Sequence, residues 1–161
     1  MGALSASLQA VNHRWQWIRT VMKVVFRHPI VGTTIIPILP DGRIVLVRRR
    51  DRDFWAIPGG LVDWGEDMPT TVRRELAEET GLDLVKVERL IGVYSDPERA
   101  RRIHAISILV VASVRGEIAV QDTREIGEAR AFALDEIPRD NLACDHGRQL
   151  QDFLDGATFV R

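Results

Sequence analysis

Apolar residues at Leu4, Leu8, Val11, Trp15, Ile18, Met22 and Val25 recur at spacings of four and three, a seam with heptad character that predicts an amphipathic helix over residues 1–28. His28-Pro29 ends it, because the residue before proline avoids the helical region, and Ser5 or Ser7 offers a cap at its start. The pattern then changes. Residues 30–39 form a β-branched apolar run, Pro40-Asp41-Gly42 is turn chemistry, and residues 43–47 alternate as a second strand, so the pair reads as a β-hairpin. After the charged stretch 48–53, Trp55-Ala56-Ile57-Pro58-Gly59-Gly60 reads as a short strand ending in a glycine loop. A helix follows over 67–80, with Asp67 as N-cap, Pro69 in the tolerated first turn and Gly81 as its stop. Strands are expected at 84–94, 103–114 and 129–134, with Arg115-Gly116 as a turn. A last helix over 145–155 carries Leu150, Phe153 and Leu154 on one face and stops at Gly156. The order is not a repeating βαβ series, so the class is α+β, a mixed sheet with helices against it.

Composition narrows the choice of partner. A chain of 161 residues that is 45% hydrophobic and 28% charged is an ordinary globular domain in size and balance. A net charge of −1 lacks the basic footprint of a nucleic-acid binder, which leaves a small molecule as the expected partner. Charge is uneven, however: Arg14, Arg19, Lys23 and Arg27 stand among residues 1–40 with no acid, and the remainder carries −5. The single cysteine, Cys144, has no partner for an internal disulfide and is expected as a small buried hydrophobe in a reducing compartment. No apolar run approaches the ~20 residues that cross a bilayer, and a signal peptide's apolar stretch is absent, so a cytoplasmic location is expected.

The chemistry concentrates on the 67–80 helix. Glu75, Glu78 and Glu79 stand at i, i+3 and i+4, which places three carboxylates on one face about 100° wide. Like charges so close repel unless something neutralises them, and Arg74 offsets only part of the charge. A hard divalent cation with oxygen ligands accounts for the rest, magnesium above all because it keeps waters and substrate phosphates, with manganese as the alternative. Gly59 and Gly60 let the backbone approach and offer carbonyls to metal or amides to phosphate, and Glu66 stands just before the helix. That arrangement suits water attack on a phosphoryl group, with one glutamate taking the proton. A solvated, salt-bridged helix face is the plain alternative. It is disfavoured because Gly60, Glu66, Arg74, Glu75, Leu76, Glu78, Glu79, Gly81 and Leu82 occupy a fixed pattern that residue frequencies of roughly 5 to 7% produce about once in 10⁹ windows.

This pattern, with Trp55 to Gly60 before it and Thr80-Gly81-Leu82 closing it, resembles the Nudix hydrolase family across residues 29–155. The resemblance implies that family's α/β/α sandwich and hydrolysis of a nucleoside diphosphate linked to another moiety. By position it makes Glu75, Glu78 and Glu79 metal ligands, gives Gly59 a ligating carbonyl, and has Gly60, Glu66 and Arg74 support the cluster. A further glutamate beyond the box often serves as base, and Glu125 is its counterpart, with Glu128 as fallback. Pro97, 15 residues past Leu82, resembles a proline marking the ADP-ribose pyrophosphatase branch, although Ala100-Arg101 departs from the Asp-Pro often found in that loop. Around it Arg99, Arg101, Arg102 and His104 are candidate substrate contacts, as is Arg49 within Arg48-Arg49-Arg50, because guanidinium pairs with phosphate and ribose oxygens. Trp55, Trp64 or Tyr94 offers an aromatic face for a base.

The expected activity is therefore cleavage of ADP-ribose to AMP and ribose 5-phosphate. The alternatives are a nucleoside triphosphate pyrophosphatase acting on oxidised nucleotides, or a ligand-sensing regulator without catalysis. The basic helix over 1–28 lies outside the resemblance to the domain at 29–161. Its seam points to packing on its own domain or on a second subunit, with a homodimer expected, and its basic residues with Trp15 and Trp17 to an anchor at an anionic membrane surface as the alternative.

Overall fold

Ile35-Ile36, Val45-Leu46 and Leu109-Val110 are apolar at consecutive positions, and successive residues of a strand point to opposite faces, so a sheet built from them must be covered on both sides. A computed structural model describes residues 28–99, 104–156 and 158–160 and meets that requirement. Its elements are β1 (Ile30–Ile38), β2 (Ile44–Arg49), β3 (Trp55–Ala56), α1 (Met68–Thr80), β4 (Asp83–Tyr94), β5 (Ala105–Arg115), β6 (Ile126–Phe132), α2 (His146–Asp155) and β7 (Phe159–Val160). On one face Ile35, Val45, Val110 and Ala112 pack with Val72 and Leu76 of α1. On the other, Ile36, Leu46, Leu109 and Val111 pack with Leu150 of α2, and Phe153 and Leu154 extend the contact. The result is the expected α/β/α sandwich.

The strands run β3-β2-β1-β5-β4-β7, with β6 on β2. Between β1 and β2 the expected hairpin forms only at its turn. The Gly42 amide reaches the Leu39 carbonyl at 2.9 Å, but the two strands pair only at Ile38 and Ile44. Each is apolar on both faces and takes a full-length partner elsewhere: β1 runs parallel to β5 from Ile30 to Ile38, and β2 runs antiparallel to β6 from Ile44 to Arg49. The edge of β1 left open by this parting is filled by the glycine loop. Thr33 and Ile35 amides donate to the Gly60 and Pro58 carbonyls at 2.8 and 2.9 Å, and Val62 donates to Val31 at 3.0 Å. The sequence pattern did not predict β7, which adds two residues parallel to β4.

Residues 1–27 of the helix expected over 1–28, and with them the dimer and membrane readings, lie outside the described residues, as does Ile103 at the start of the strand expected over 103–114. Among the described residues no helix is long and apolar enough to cross a membrane. Cys144 is exposed, contrary to expectation, and holds a left-handed φ of 44° where the chain turns from the core into α2.

One buried titratable group ties α2 to the glycine loop. The Ile57 amide donates to His146 Nδ1 at 2.9 Å, which requires an unprotonated Nδ1. Burial lowers the His146 pKa to about 4; the nearby Asp145 charge opposes this and Arg99 adds to it. Because the folded value lies below the unfolded one of 6.5, the stability this group contributes is complete above pH 6.5 and is lost as pH falls through 4. On this basis urea unfolding is expected to show a loss on the order of 2 kcal/mol between pH 7 and pH 5 that shrinks in His146→Asn, whose amide oxygen accepts without titrating. An equal loss in both proteins counts against the assignment.

Candidate active site

The start of α1 is built from its own sequence. The Asp67 side chain caps the helix by accepting the Thr70 amide at 2.9 Å. Just before it, Glu66 accepts from Arg74 Nε and Nη2, both at 2.9 Å, and from the Thr71 hydroxyl at 2.8 Å. The Arg74 and Thr71 bonds hold the Glu66 carboxyl down to about 2. Arg74 also donates to Glu75 at 2.7 Å and to the Leu61 carbonyl at 2.9 Å, and stands 3.5 Å from Glu78. One guanidinium thus fastens the segment entering the helix onto the helix itself. Glu66, Glu75, Glu78 and Glu79 against Arg74 leave a local charge of −3, four carboxylates less one guanidinium.

The glycine loop closes over this cluster. Glu75 is only 8% exposed and lies directly against Gly60, where an added Cβ would fall on its carboxylate. Gly59 adopts φ of 148°, and a side chain there would strike the Thr33 carbonyl, so only glycine brings its amide to Glu79 at 2.8 Å. Burial raises the Glu79 pKa to about 7, with the Gly59 amide opposing and the Glu75 charge adding. Glu75 is also pushed up by burial, against the bonds and charge of Arg74.

The far end of α1 receives residues 117–125. Ala119 donates to the Thr80 carbonyl at 2.9 Å, and Gln121 and Asp122 both donate to the Glu78 carbonyl, at 2.9 and 2.8 Å. This brings Asp122 close enough for its charge to raise the Glu79 carboxyl further. Asp122 was not singled out from the sequence, since an acid in a polar loop gives no local signal. Glu125 is paired with Arg49, its carbonyl accepts the Arg50 amide at 3.0 Å, and Arg49, Arg50, Asp51, Asp122, Arg124 and Glu125 line a cavity of about 480 Å³. Glu128 is paired with Arg48.

The remaining candidates divide. Trp55, proposed as a stacking surface, belongs to the core at 8% exposure, edge-on to Phe132 at 4.9 Å with Arg48 5.3 Å over its ring. Tyr94 is buried and donates to Asp152 at 2.8 Å, whereas Trp64 is fully exposed. Pro97 opens a single helical turn, Pro97–Arg99. Arg99, expected to reach substrate, is turned inward: it makes a two-pronged bond to Asp145 at 2.9 and 3.1 Å, and its side chain is 11% exposed. Its destination is decided by a carboxylate 46 residues later, which local spacing does not reveal. His104 is exposed with Nε2 3.2 Å from the Ser95 carbonyl, and Arg101 and Arg102 lie outside the described residues.

The cluster suits a hard divalent cation in charge and donor type: Glu75 is buried, Glu79 is half-buried and Glu78 is exposed, and burial pushes the Glu75 and Glu79 carboxyls up. Among the described residues no three acidic, histidine or cysteine groups converge on one point, because Glu79 faces the Gly59 amide and Glu75 faces Arg74. With no cation beside it, the half-buried Glu79 charge is a burden on the fold despite the Gly59 amide. Its folded pKa, about 7, lies above the ordinary glutamate value of 4.5, so its contribution to stability is complete below pH 4.5 and is lost as pH rises through 7. In chelator, Glu79→Gln is therefore expected to unfold at higher temperature than the parent at pH 8, by a margin on the order of 3 kcal/mol, with no gain near pH 4.5. A less stable variant at pH 8 would refute this.

Comparison with known proteins agrees with this geometry. A family model of the NUDIX domain matches residues 28–153. The chain is 40% identical over 134 residues to an ADP-ribose pyrophosphatase of Methanocaldococcus jannaschii, covering 81% of this chain and 76% of that protein. It is 32% identical over 129 residues to a putative 8-oxo-dGTP diphosphatase of Bacillus subtilis, covering 80% and 83%. Among solved structures, a MutT NUDIX hydrolase from Burkholderia pseudomallei superposes with a TM-score of 0.67 at 31% identity, covering 78% of this chain and 98% of that one. With the fold, the glycine loop and the glutamate helix all in place, the chain belongs to the Nudix family of pyrophosphohydrolases.

Proposed function

We propose that this protein hydrolyses the pyrophosphate bond of ADP-ribose, or a closely related nucleoside diphosphate sugar, to AMP and a sugar phosphate, with magnesium at the glutamate cluster. The observation that carries the reading is the seating of Glu75 and Glu79 against Gly60 and Gly59, which concentrates buried negative charge where the backbone is open to a phosphate. The choice of substrate is supported by the 40% identity to an ADP-ribose pyrophosphatase and by the turn at Pro97.

Bound magnesium supplies neutralisation of charge on the phosphate's non-bridging oxygens. Glu75, Glu78, Glu79 and the Gly59 carbonyl are the groups that would hold it, and Glu66 and Arg74 keep those groups in register. Water attacks one phosphorus as its proton passes to a carboxylate. A new P–O bond forms, the bridging P–O bond breaks, and the other half leaves as a monophosphate. Glu79, seated against the Gly59 amide, is our candidate for the acceptor. Glu78 and Glu125 are the other carboxylates in contention.

A second reading, a pyrophosphatase of oxidised nucleoside triphosphates, is favoured by the Bacillus subtilis relative. A panel of ADP-ribose, other nucleotide sugars, dinucleoside polyphosphates and nucleoside triphosphates, assayed with magnesium, is expected to give AMP from ADP-ribose with the highest kcat/KM; preference for triphosphates would decide for the second reading. Glu79→Gln is expected to lower kcat by about 100-fold or more while the fold is retained, as checked by circular dichroism. Undiminished turnover in that variant would remove the glutamate cluster from the mechanism.

A further inference from the structure

A chain of buried polar side chains runs through the core beneath α2, an odd feature among isoleucine, leucine and valine. Arg99 grips Asp145 with two nitrogens at 2.9 and 3.1 Å, and its third lies 3.4 Å from the Ala105 carbonyl. Asp145 accepts from Gln149 Nε2 at 3.2 Å, and Gln149 accepts from the Thr34 hydroxyl at 2.6 Å. The Thr34 proton being committed there, Ser107 is the donor in the 3.2 Å contact between the two hydroxyls. Gln149 is fully buried and Thr34 nearly so. Both ends of the chain are informative. One is the turn Pro97–Arg99, and the other is β1 at Thr34, whose Cα lies under Gly59. The residue after Asp145, His146, reaches the same loop by accepting the Ile57 amide at 2.9 Å.

Burying so many polar atoms is costly unless every one is satisfied, and among the described residues none is left without a partner. Ion pairs away from water often add little net stability over apolar groups of the same volume, whereas the two-pronged geometry holds both partners in one orientation. Burial alone would raise the Asp145 carboxyl, but the bond and charge of Arg99, then Gln149, bring it below its ordinary range and keep it an acceptor. Beside the pair lies a cavity of about 320 Å³ lined by Tyr94, Asp96, Glu98, Arg99, Asp145 and Arg148. That volume is at the lower end of small-ligand sites, roughly 300 to 1,000 Å³. Its carboxylates and Arg148 are the acceptors and donors that a polyhydroxylated sugar requires.

We infer that Arg99 and Asp145 are positioning residues for substrate choice: their two-pronged bond fixes the Pro97–Arg99 turn against the start of α2, shaping a recess for the sugar half of the substrate in register with the glycine loop. The inference rests on the proposed cleavage of a nucleoside diphosphate sugar. Lysine keeps the charge but cannot make the paired bonds, so Arg99→Lys separates charge from geometry.

The test compares Arg99→Lys, Asp145→Asn and the double variant with the unaltered protein, using the best nucleotide sugar and a nucleoside triphosphate as substrates. Each single change is expected to raise KM for the sugar substrate about tenfold with kcat within about threefold, and to leave any triphosphate hydrolysis unchanged. The second change is expected to add nothing to the first, because the two residues act as one unit. An unmoved KM, additive effects, or a kcat that falls equally on both substrates would reduce the pair to a structural tie and overturn the inference. Should Asp145→Asn fail to fold, Arg99→Lys on both substrates decides alone. Failure of the underlying reading shows differently, as no turnover of any nucleotide sugar by the unaltered protein, and that result overturns both.

Discussion

The main-chain bonds from Thr33 and Ile35 of β1 to the carbonyls of Gly60 and Pro58 decide where the glycine loop meets the glutamate helix. They exist because β1 and β2 separate after one pairing and leave an edge that must be satisfied. The glycine loop satisfies it, and in doing so is pinned at a depth where the Gly59 amide meets Glu79 and the bare α-carbon of Gly60 meets Glu75. A side chain at either glycine would push the loop off the strand or the carboxylates off the loop. The active geometry is thus a by-product of how a sheet completes its hydrogen bonding.

Arg74 is the counterpart on the helix side. Its donors reach Glu66, Glu75 and the Leu61 carbonyl, so the segment leaving the glycine loop and the segment entering α1 are tied at one point. The charge it neutralises is one of four. The remaining excess is uncompensated within the cluster, and burial makes it costly to hold, as the upward shifts of Glu79 and Glu75 show. A more balanced helix face would be more comfortable for the fold and of less use to a diphosphate.

Much of this was legible in the sequence, and the limits have physical causes. The glutamate helix announced itself because helical spacing converts residue number directly into a shared face, and its cap and stop were equally local at Asp67 and Gly81. The central strands showed as uninterrupted apolar runs because both their faces are covered. What failed depended on partners far along the chain. The hairpin was inferred from a good turn, yet β1 chose β5 and β2 chose β6. Arg99, expected to reach substrate directly, is held instead by Asp145, and Trp55, expected as a stacking surface, packs on Phe132. Gln149 and Asp152 lie on a helix whose apolar face was read correctly, but no periodicity says that a glutamine there reaches a threonine across the core.

Cys144 has a practical consequence. It is the chain's single cysteine, it is exposed, and it immediately precedes the carboxylate that anchors the Pro97–Arg99 turn. A left-handed backbone directs it away from the packed interior while its neighbours Ala143 and Asp145 stay engaged. A thiol-reactive fluorophore would therefore attach at one place only, one residue from the Asp145 that lines the proposed sugar recess, and the protein carries its own labelling position for watching that recess fill.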